Sequence, residues 1–342
     1  MMRRARVSRG FFFALALLLK AGLPLHEALT CLERTERNST SQKMIQRIKT
    51  DIGSGGMLSF AIQKYAPLVP PLAIHFIALG EQTGTLARNL DLTANHLQGL
   101  ERSQQKTVSA LIYPCFTAII SFCGIFLLAK IFLPNFIPLF NDFRGSLPLP
   151  TKILLWFVKM ISSYTAWVGL FSLSALVLLA LKKYRNRLDR LAVSIPFFGK
   201  LMKLTYAAEL SRTLAASHAA GISMDKALGF YGQSLINTVF RSATMEMRLA
   251  LIHGDSLAIS FSKQRKLMPS YVSAMTSIAE KTGKMNDLLS RCAQMAEDEI
   301  TDRLQRFTTA LEPMVLGFLG VFVGLILTGV LSPLYKMVET LS

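Results

Sequence analysis

The sequence LGEQTGTL at residues 79–86 recurs later in the chain as IAEKTGKM at residues 278–285. The acidic residues of the two stretches are 280 − 81 = 199 positions apart, and their glycines are 283 − 84 = 199 positions apart. The same offset joins further pairs along the chain, namely Gly22 with Gly221, Pro70 with Pro269, and Pro114 with Pro313. A register held without gaps over this length indicates a duplicated unit. Because the period is too long for a solenoid repeat, each copy is predicted to be a domain.

Each copy is predicted to be all-α. From residue 11 to residue 106, apolar residues recur at three-and-four spacing with charged residues between them, which is the pattern of amphipathic helices. Gly22 and Gly221 suit the ends of helices, because glycine accepts the positive φ of a C-terminal cap. Pro70 and Pro269 mark further breaks between helices. The predicted fold is therefore two homologous helical bundles.

The composition is too apolar for an ordinary soluble protein. The 342 residues are 51% hydrophobic with a mean hydropathy of +0.38, and Lys and Arg outnumber Asp and Glu by 38 to 21. A chain that is both apolar and basic is predicted to be a membrane protein whose exposed parts lie on the cytoplasmic side. This preference explains the net charge of +17 without a nucleic-acid partner.

Three segments are apolar enough to cross a bilayer about 30 Å thick, which takes roughly 20 residues. They are Val108–Ala129, Met160–Leu181 and the slightly short Met314–Leu331. The first and third follow the two copies of the repeat and are expected to end at Pro134 and Pro333. The second segment returns the chain across the membrane, so that both copies face the same side.

The distribution of charge predicts the same orientation. Residues 1–108 carry 14 basic and 7 acidic side chains, and residues 182–308 carry 19 and 11. By the positive-inside rule both regions are cytoplasmic. The predicted order is a cytoplasmic bundle at 1–106, a membrane helix at 107–133, an extracytoplasmic linker at 134–159, a second membrane helix at 160–181, a cytoplasmic bundle at 182–308, a third membrane helix at 309–332 and an extracytoplasmic tail at 333–342.

The sequence contains no recognisable catalytic or nucleotide-binding motif. The histidines lie far apart and are predicted to be surface or interface residues: His26, His75, His96, His218 and His253. The cysteines share no paired spacing and are predicted to be free thiols: Cys31, Cys115, Cys123 and Cys292. The apolar segments carry no charge near their centres, which argues against a pump. We therefore expect no enzymatic activity, no cofactor and no metal.

The repeated Glu-x-Thr-Gly pattern is the strongest local signal. Gly84 and Gly283 are predicted to supply the special backbone angle of a turn between two helices. A turn does not require an acid at the same place twice, so Glu81 and Glu280 need a further explanation. Such a carboxylate could satisfy free amides at a helix start, bind a basic partner or help to hold a cation.

The combination of short motifs resembles the GspF/PilC family, the inner-membrane platform proteins of type II secretion systems and type IV pili. The residues that carry the resemblance are Ala21-Gly22-Leu23-Pro24-Leu25, Ala28-Leu29, Pro70, Gly80-Glu81-x-Thr83-Gly84-x-Leu86 and Tyr113-Pro114. The resemblance covers nearly the whole chain and both repeats, although each motif alone is short.

The resemblance implies two cytoplasmic helical bundles, three membrane helices and no enzymatic activity, in the bacterial inner membrane with the N-terminus in the cytoplasm. It also implies a function, which is to couple a cytoplasmic hexameric assembly ATPase to polymerisation of pilins or pseudopilins. The implied partners are that ATPase, the transmembrane helices of pilins, other inner-membrane assembly proteins and further copies of the chain as a homo-oligomer. A channel or transporter subunit is the alternative, and conductance or solute uptake by the reconstituted protein alone would support it.

The chain departs from the family's pattern in three ways. Longer members carry an N-terminal extension that this sequence does not show. Ala279 stands where the first copy has Gly80, and Glu312 stands where the first copy has Tyr113. The short form is similar to members from type IVb pili and Gram-positive competence systems.

The charge counts and the parallel repeats predict a topology. A reporter fused after Ser103 or after Leu201 is expected to be cytoplasmic, and one inserted near Gly145 is expected on the far side of the membrane. Alkaline phosphatase and fluorescent-protein fusions measure this directly. Finding the two large regions on opposite faces would contradict the interpretation of the repeats as parallel.

Overall fold

The computed structural model describes residues 2–65, 69–142 and 185–341. Throughout those ranges every regular element is an α-helix, which confirms the predicted all-α class for the part of the chain that they cover. The predicted membrane helix at 160–181 lies outside the described residues, as does most of the predicted linker at 134–159.

The described part of the first copy contains six helices. They are α1 (Met2–Lys20), α2 (Leu25–Thr35), α3 (Ser39–Gly53), α4 (Leu58–Gln63), α5 (Pro71–Thr83) and α6 (Leu86–Asp142). Five are short or of medium length, whereas α6 has 57 residues and runs from the helical bundle through the whole apolar segment.

The second copy repeats this arrangement after one additional helix, α7 (Arg185–Ser194). Its helices are α8 (Pro196–Ala219), α9 (Met224–Ser234), α10 (Thr238–Ile252), α11 (Leu257–Lys263), α12 (Ser270–Thr282) and α13 (Met285–Leu341). The long helices begin 285 − 86 = 199 residues apart and end 341 − 142 = 199 residues apart. The duplication found in the sequence is therefore present helix by helix.

Left-handed glycines follow the same register. They form three pairs: Gly22 (φ 88°) with Gly221 (φ 78°), Gly55 (φ 87°) with Gly254 (φ 94°), and Gly84 with Gly283 (both φ 70°). Among the described residues no other type has a positive φ. Residues with a side chain rarely adopt this conformation, so the three turns of each copy depend on glycine.

Each bundle has its own apolar core. In the first copy the largest fully buried side chains come from α1 to α6, and include Phe12, Leu15, Leu29, Ile45, Ile48, Leu58, Ile62, Ile77 and Leu90. In the second copy the equivalent helices bury Leu210, Leu214, Leu228, Phe261, Val272 and Leu289. These residues lie on one face of each helix, as expected for amphipathic helices that close around a common centre.

The chain divides into two compact units. Residues 1–105 and 186–300 form the first, so the two helical bundles pack together as one body. The second unit contains the described residues of 106–142 and 301–341.

Large apolar side chains are exposed on the second unit. On α6 they are Val108, Ile112, Tyr113, Phe116, Ile119, Ile120 and Leu127, and on α13 they are Met314, Leu316, Phe318, Val321, Val323 and Leu327. Within the described ranges, no helix was found that is long and apolar enough to cross a membrane. The predicted spans Val108–Ala129 and Met314–Leu331 stay predictions.

The predicted ends of the two apolar helices were wrong. Both were expected to stop at a proline, but α6 continues through Pro134 to Asp142, and α13 continues through Pro333 to Leu341. A proline inside a helix removes one hydrogen bond and favours a kink. It does not have to end the helix when the residues on both sides remain helical.

Candidate functional site

The junction between α5 and α6 has the geometry of a glycine-capped helix end. Helix α5 ends at Thr83, Gly84 adopts the left-handed conformation and α6 begins at Leu86. The Thr83 hydroxyl donates a hydrogen bond of 2.8 Å to the carbonyl oxygen of Leu79. In the second copy Thr282 makes the same bond to Ile278, also at 2.8 Å.

Glu81 lies inside α5 and not in the turn that follows it. Its Oε1 accepts a hydrogen bond from the amide of Leu58. Its Oε2 accepts from the amide of Ser59 at 3.1 Å and from the Ser59 hydroxyl at 2.5 Å. Met57, the residue before α4, provides no side-chain cap. The carboxylate therefore occupies the place of an N-cap for a helix more than twenty residues earlier in the chain.

Glu280 makes the equivalent contact in the second copy. Its Oε1 accepts from the amide of Leu257 at 2.6 Å and from the amide of Ala258 at 3.4 Å. The first turn of α11 has a second acceptor, because the hydroxyl of Ser256 accepts from the amide of Ile259 at 3.2 Å. Helix α11 is thus capped twice, whereas Glu81 is the capping side chain found for α4.

The geometry favours one of the three roles that the sequence left open for these glutamates. Each carboxylate receives backbone amides at a helix start, which satisfies groups that would otherwise lack a partner. A negative charge there is also stabilised by the helix dipole. The structure brings Glu81 close to Gly84 and Glu280 close to Gly283, one pair in each copy.

The remaining candidate residues of the sequence analysis are glycines and prolines that shape the backbone at helix ends or within helices. Gly22 and Gly221 lie two residues after the ends of α1 and α8, and Pro70 and Pro269 are the N-cap residues of α5 and α12. Two further prolines, Pro114 and Pro313, lie inside α6 and α13.

A contact between the two bundles was not predicted from the sequence. Helix α5 of the first copy packs against α9 of the second. The ring of His75 stacks on that of Phe230, with centroids 3.6 Å apart and an interplanar angle of 30°. Nearby, Nη2 of Arg88 donates to the carbonyl oxygen of Ala219 at 3.4 Å. The prediction that histidines lie at surfaces or interfaces holds for His75.

A partly buried charged cluster lies at the same contact. Arg212 on α8 pairs with Glu297 on α13, and Gly99 on α6 faces the guanidinium so closely that a Cβ would collide with it. His96 is buried beside this pair and its Nδ1 has no hydrogen-bond partner. Burial, followed by the positive charge of Arg212, lowers the pKa of His96 to about 4. The imidazole is therefore neutral at physiological pH.

The duplication could not reveal this cluster. The counterpart of Arg212 in the first copy is Phe13 (212 − 199 = 13), and the counterpart of Glu297 is Gln98 (297 − 199 = 98). The charged residues are thus particular to the second copy. The only signal in the sequence is an acid and a base on the apolar faces of two helices, and it gives no indication of which residues pair.

A second polar group lies deeper in the second bundle. The hydroxyl of Tyr231 donates to Oε2 of Glu209 at 3.4 Å, and burial raises the pKa of that carboxyl. The Tyr206 hydroxyl pairs with Thr244 Oγ1 at 2.8 Å, and its ring stacks on Phe240. These contacts satisfy polar atoms in an apolar interior, so they fix side-chain positions in the core.

Comparison with known proteins identifies the same two repeats. The family model described as Type II secretion system (T2SS), protein F matches residues 11–134 and again residues 210–333. The two matches begin 210 − 11 = 199 positions apart, which is the offset of the helices.

Several similar proteins span nearly the whole chain. The type IV pilus assembly protein PilC of Thermus thermophilus is 30% identical over 334 residues, which are 96% of this chain and 82% of that protein. PilC of Pseudomonas aeruginosa is 27% identical, covering 94% of this chain and 87% of its own length. Type II secretion system protein F of the same organism is 24% identical over 94% of this chain and 80% of that protein.

The capping geometry predicts unequal effects for the two glutamates. Glu81→Ala leaves two amides and a hydroxyl without their acceptor and is expected to cost about 1–3 kcal/mol of unfolding free energy. Glu280→Ala is expected to cost less, because Ser256 still caps α11. Thermal unfolding of the purified chain measures both, with Asp302→Ala, at an exposed site inside α13, as the control. Equal melting of Glu81→Ala and wild type would contradict the capping role and favour a partner or a cation.

The buried imidazole predicts a loss of stability in acid. The unfolded chain binds a proton at His96 near pH 6.5, whereas the folded chain does so only near pH 4. Unfolding is therefore favoured progressively as the pH falls from 6.5 to 4, by about 3 kcal/mol. His96→Asn is expected to flatten this part of the profile, and His218→Asn, at an exposed position, is expected to leave it unchanged. Parallel profiles for wild type and His96→Asn would contradict the assignment.

Proposed function

Because the chain belongs to the family of type II secretion system protein F, we propose that it is the inner-membrane platform of a machine that assembles type IV pili or type II pseudopili. In this function the chain is a scaffold without enzymatic activity. It transmits the action of a cytoplasmic assembly ATPase to pilin or pseudopilin subunits in the membrane. The observation that carries the proposal is the double match, at residues 11–134 and 210–333, on a fold that repeats with the same offset.

The exposed apolar side chains support a location in the membrane. Thirteen large apolar residues of α6 and α13 are exposed, between Val108 and Leu127 and between Met314 and Leu327. Contiguous apolar surface of this kind marks contact with a partner or a membrane. In the proposed function these helices lie among lipid tails and the transmembrane helices of pilins.

The continuity of α6 and α13 supports a mechanical role. Each helix has 57 residues, which corresponds to about 85 Å at a rise of 1.5 Å per residue. One end belongs to the bundle and the other end carries the exposed apolar side chains. The ATPase displaces or rotates the bundles, and the continuous helices α6 and α13 carry that motion to the membrane.

Complementation of a strain that lacks the gene tests this function. The wild-type chain is expected to restore surface filaments or secretion, while pilin accumulates unassembled in the membrane without it. Gln105→Pro removes one helical hydrogen bond and favours a kink at an exposed site of α6, at the boundary of the two compact units along the chain. It is expected to abolish assembly, whereas Gln105→Ala is expected to preserve it.

A binding assay separates coupling from docking. Both Gln105 variants are expected to co-purify with the assembly ATPase in mild detergent, since the substitution lies outside the bundle core. Normal filaments in the deletion strain would contradict the proposed function. Conductance or solute uptake by the reconstituted chain alone would instead support a channel or transporter.

A further inference from the structure

The two copies pack through different helices. The first copy contributes α5 and the beginning of α6, and the second contributes α8 and α9. These elements are not equivalent by the 199-residue offset, since α8 and α9 correspond to α1 and α2. The contact is therefore head to tail. It leaves two faces without a partner within the chain, one on α1 and α2 of the first copy and one on α12 and α13 of the second. We call them the α1–α2 face (Phe13, Leu17, Lys20 and Cys31) and the α12–α13 face (Ala274, Asp287, Met295 and Asp298).

We propose that molecules of this protein associate head to tail, with the α1–α2 face of one molecule on the α12–α13 face of the next. The contact between two molecules then repeats the contact between the two bundles within one chain. The inference does not rest on the proposed function, because it uses only the packing of the first compact unit.

Burial identifies the α1–α2 face without reference to any partner. Phe13, Leu17, Lys20 and Cys31 are all exposed, whereas their counterparts in the second copy are partly buried by the first bundle: Arg212, Ala216, Ala219 and Phe230. Phe13 and Leu17 are large apolar residues, 52% and 60% exposed. Exposed apolar surface at the positions that form the inter-bundle contact in the other copy indicates a binding surface for a partner.

On the α12–α13 face two positions show the same difference, whereas Ala274 and Asp287 are exposed like their counterparts His75 and Arg88. Met295 and Asp298 are exposed, whereas the residues at the same positions of the first copy, His96 and Gly99, are buried under Arg212. Ala274 is exposed at the position of His75, the residue that stacks on Phe230.

The residues of the two faces are complementary when they are paired as in the chain. Arg88 contacts Ala219 within a chain, and the equivalent pair between copies is Asp287 with Lys20, which carry opposite charges. His96 lies beside Arg212 within a chain, and its equivalent places the Met295 thioether beside the Phe13 ring. Sulfur and aromatic rings make favourable contacts.

A difference between the two repeats at the position of Arg212 makes room for a side chain at the position of Gly99. Gly99 is required within the chain because Arg212 fills the space in front of it. The counterpart of Arg212 is Phe13, whose side chain is shorter, so the larger Asp298 can stand where the first copy has glycine.

Lys20 has a partner within its own chain. Its Nζ lies 2.7 Å from Oδ2 of Asp91, but the two side chains are 51% and 32% exposed. An exposed ion pair of this kind is weak and rearranges easily. Lys20 can therefore contact Asp287 of a second copy while Asp91 remains close by.

The geometry makes a head-to-tail contact distinguishable from a symmetric one. A contact between two different faces closes into a ring or continues as an open chain, whereas a symmetric dimer uses the same face twice. The position equivalent to the stacked pair His75 and Phe230 is occupied by Ala274 and Cys31, so Ala274→Cys places two thiols together across the contact between copies.

Disulfide formation between two differently tagged chains tests the proposal. The first chain keeps Cys31 and carries Cys115→Ala, Cys123→Ala and Cys292→Ala. The second carries the same substitutions together with Cys31→Ala and Ala274→Cys. Oxidation in membranes that contain both chains is expected to give a mixed disulfide, several-fold above the dimer that either chain forms alone. Dimers formed equally by one chain alone would overturn the proposal in favour of a symmetric contact.

Charge reversal supplies an independent test. Asp287→Lys in the second chain is expected to reduce the mixed disulfide several-fold, and Lys20→Glu in the first chain is expected to restore it. Asp302→Lys, the same change at an exposed residue outside both faces, is expected to leave the yield unchanged. The absence of any mixed disulfide from correctly inserted chains would also overturn the proposal, whatever the outcome of the assembly assay.

Discussion

The contact between a glutamate of α5 or α12 and the first amides of a short helix is the interaction on which each bundle depends. Glu81 is joined to Leu58 and Ser59, and Glu280 to Leu257 and Ala258. Helix α6 begins only three residues after the end of α5, so the same contact holds the short helix next to the start of the long one. An acid at the same place in both copies thus makes the same tie in each bundle.

The two copies share a fold but not an interior. The second copy has the largely buried residues Arg212, Glu297 and Glu209 at positions where the first has Phe13, Gln98 and Gly10. A buried ion pair adds little net stability compared with apolar residues, but removing one member is costly, by about 3–5 kcal/mol. Because Arg212 and Glu297 both belong to the second bundle, the pair fixes α8 against α13 within that bundle. The first bundle meets this pair through Gly99 and His96.

The sequence predicts the repeated helices closely, but it does not predict how the two bundles pack against each other. A constant offset determines the helix pairs, the three glycine turns and the prolines at the starts of α5 and α12, because these features depend on local chemistry. The contact of His75 with Phe230 could not be predicted, because duplication treats the copies as equal whereas the contact joins unlike faces. The role of Glu81 also stayed open at the sequence level, because the amide that it accepts from belongs to Leu58, 23 residues earlier in the chain. Pro134 was taken as a stop because the sequence shows its missing amide and not the helical residues after it.

The prolines inside the long helices have a consequence for the groups around them. Pro114 and Pro313 have no amide hydrogen, so the carbonyl oxygens of Ala110 and Thr309, four residues earlier, cannot receive the usual helical bond. A hydrocarbon environment cannot hydrate such an oxygen, and neighbouring hydroxyls, waters or helices usually satisfy it. These two oxygens lie at equivalent positions of α6 and α13, and each can accept a hydrogen bond from a neighbouring group. A helix that packs against such a position can donate a side-chain hydrogen bond to this oxygen.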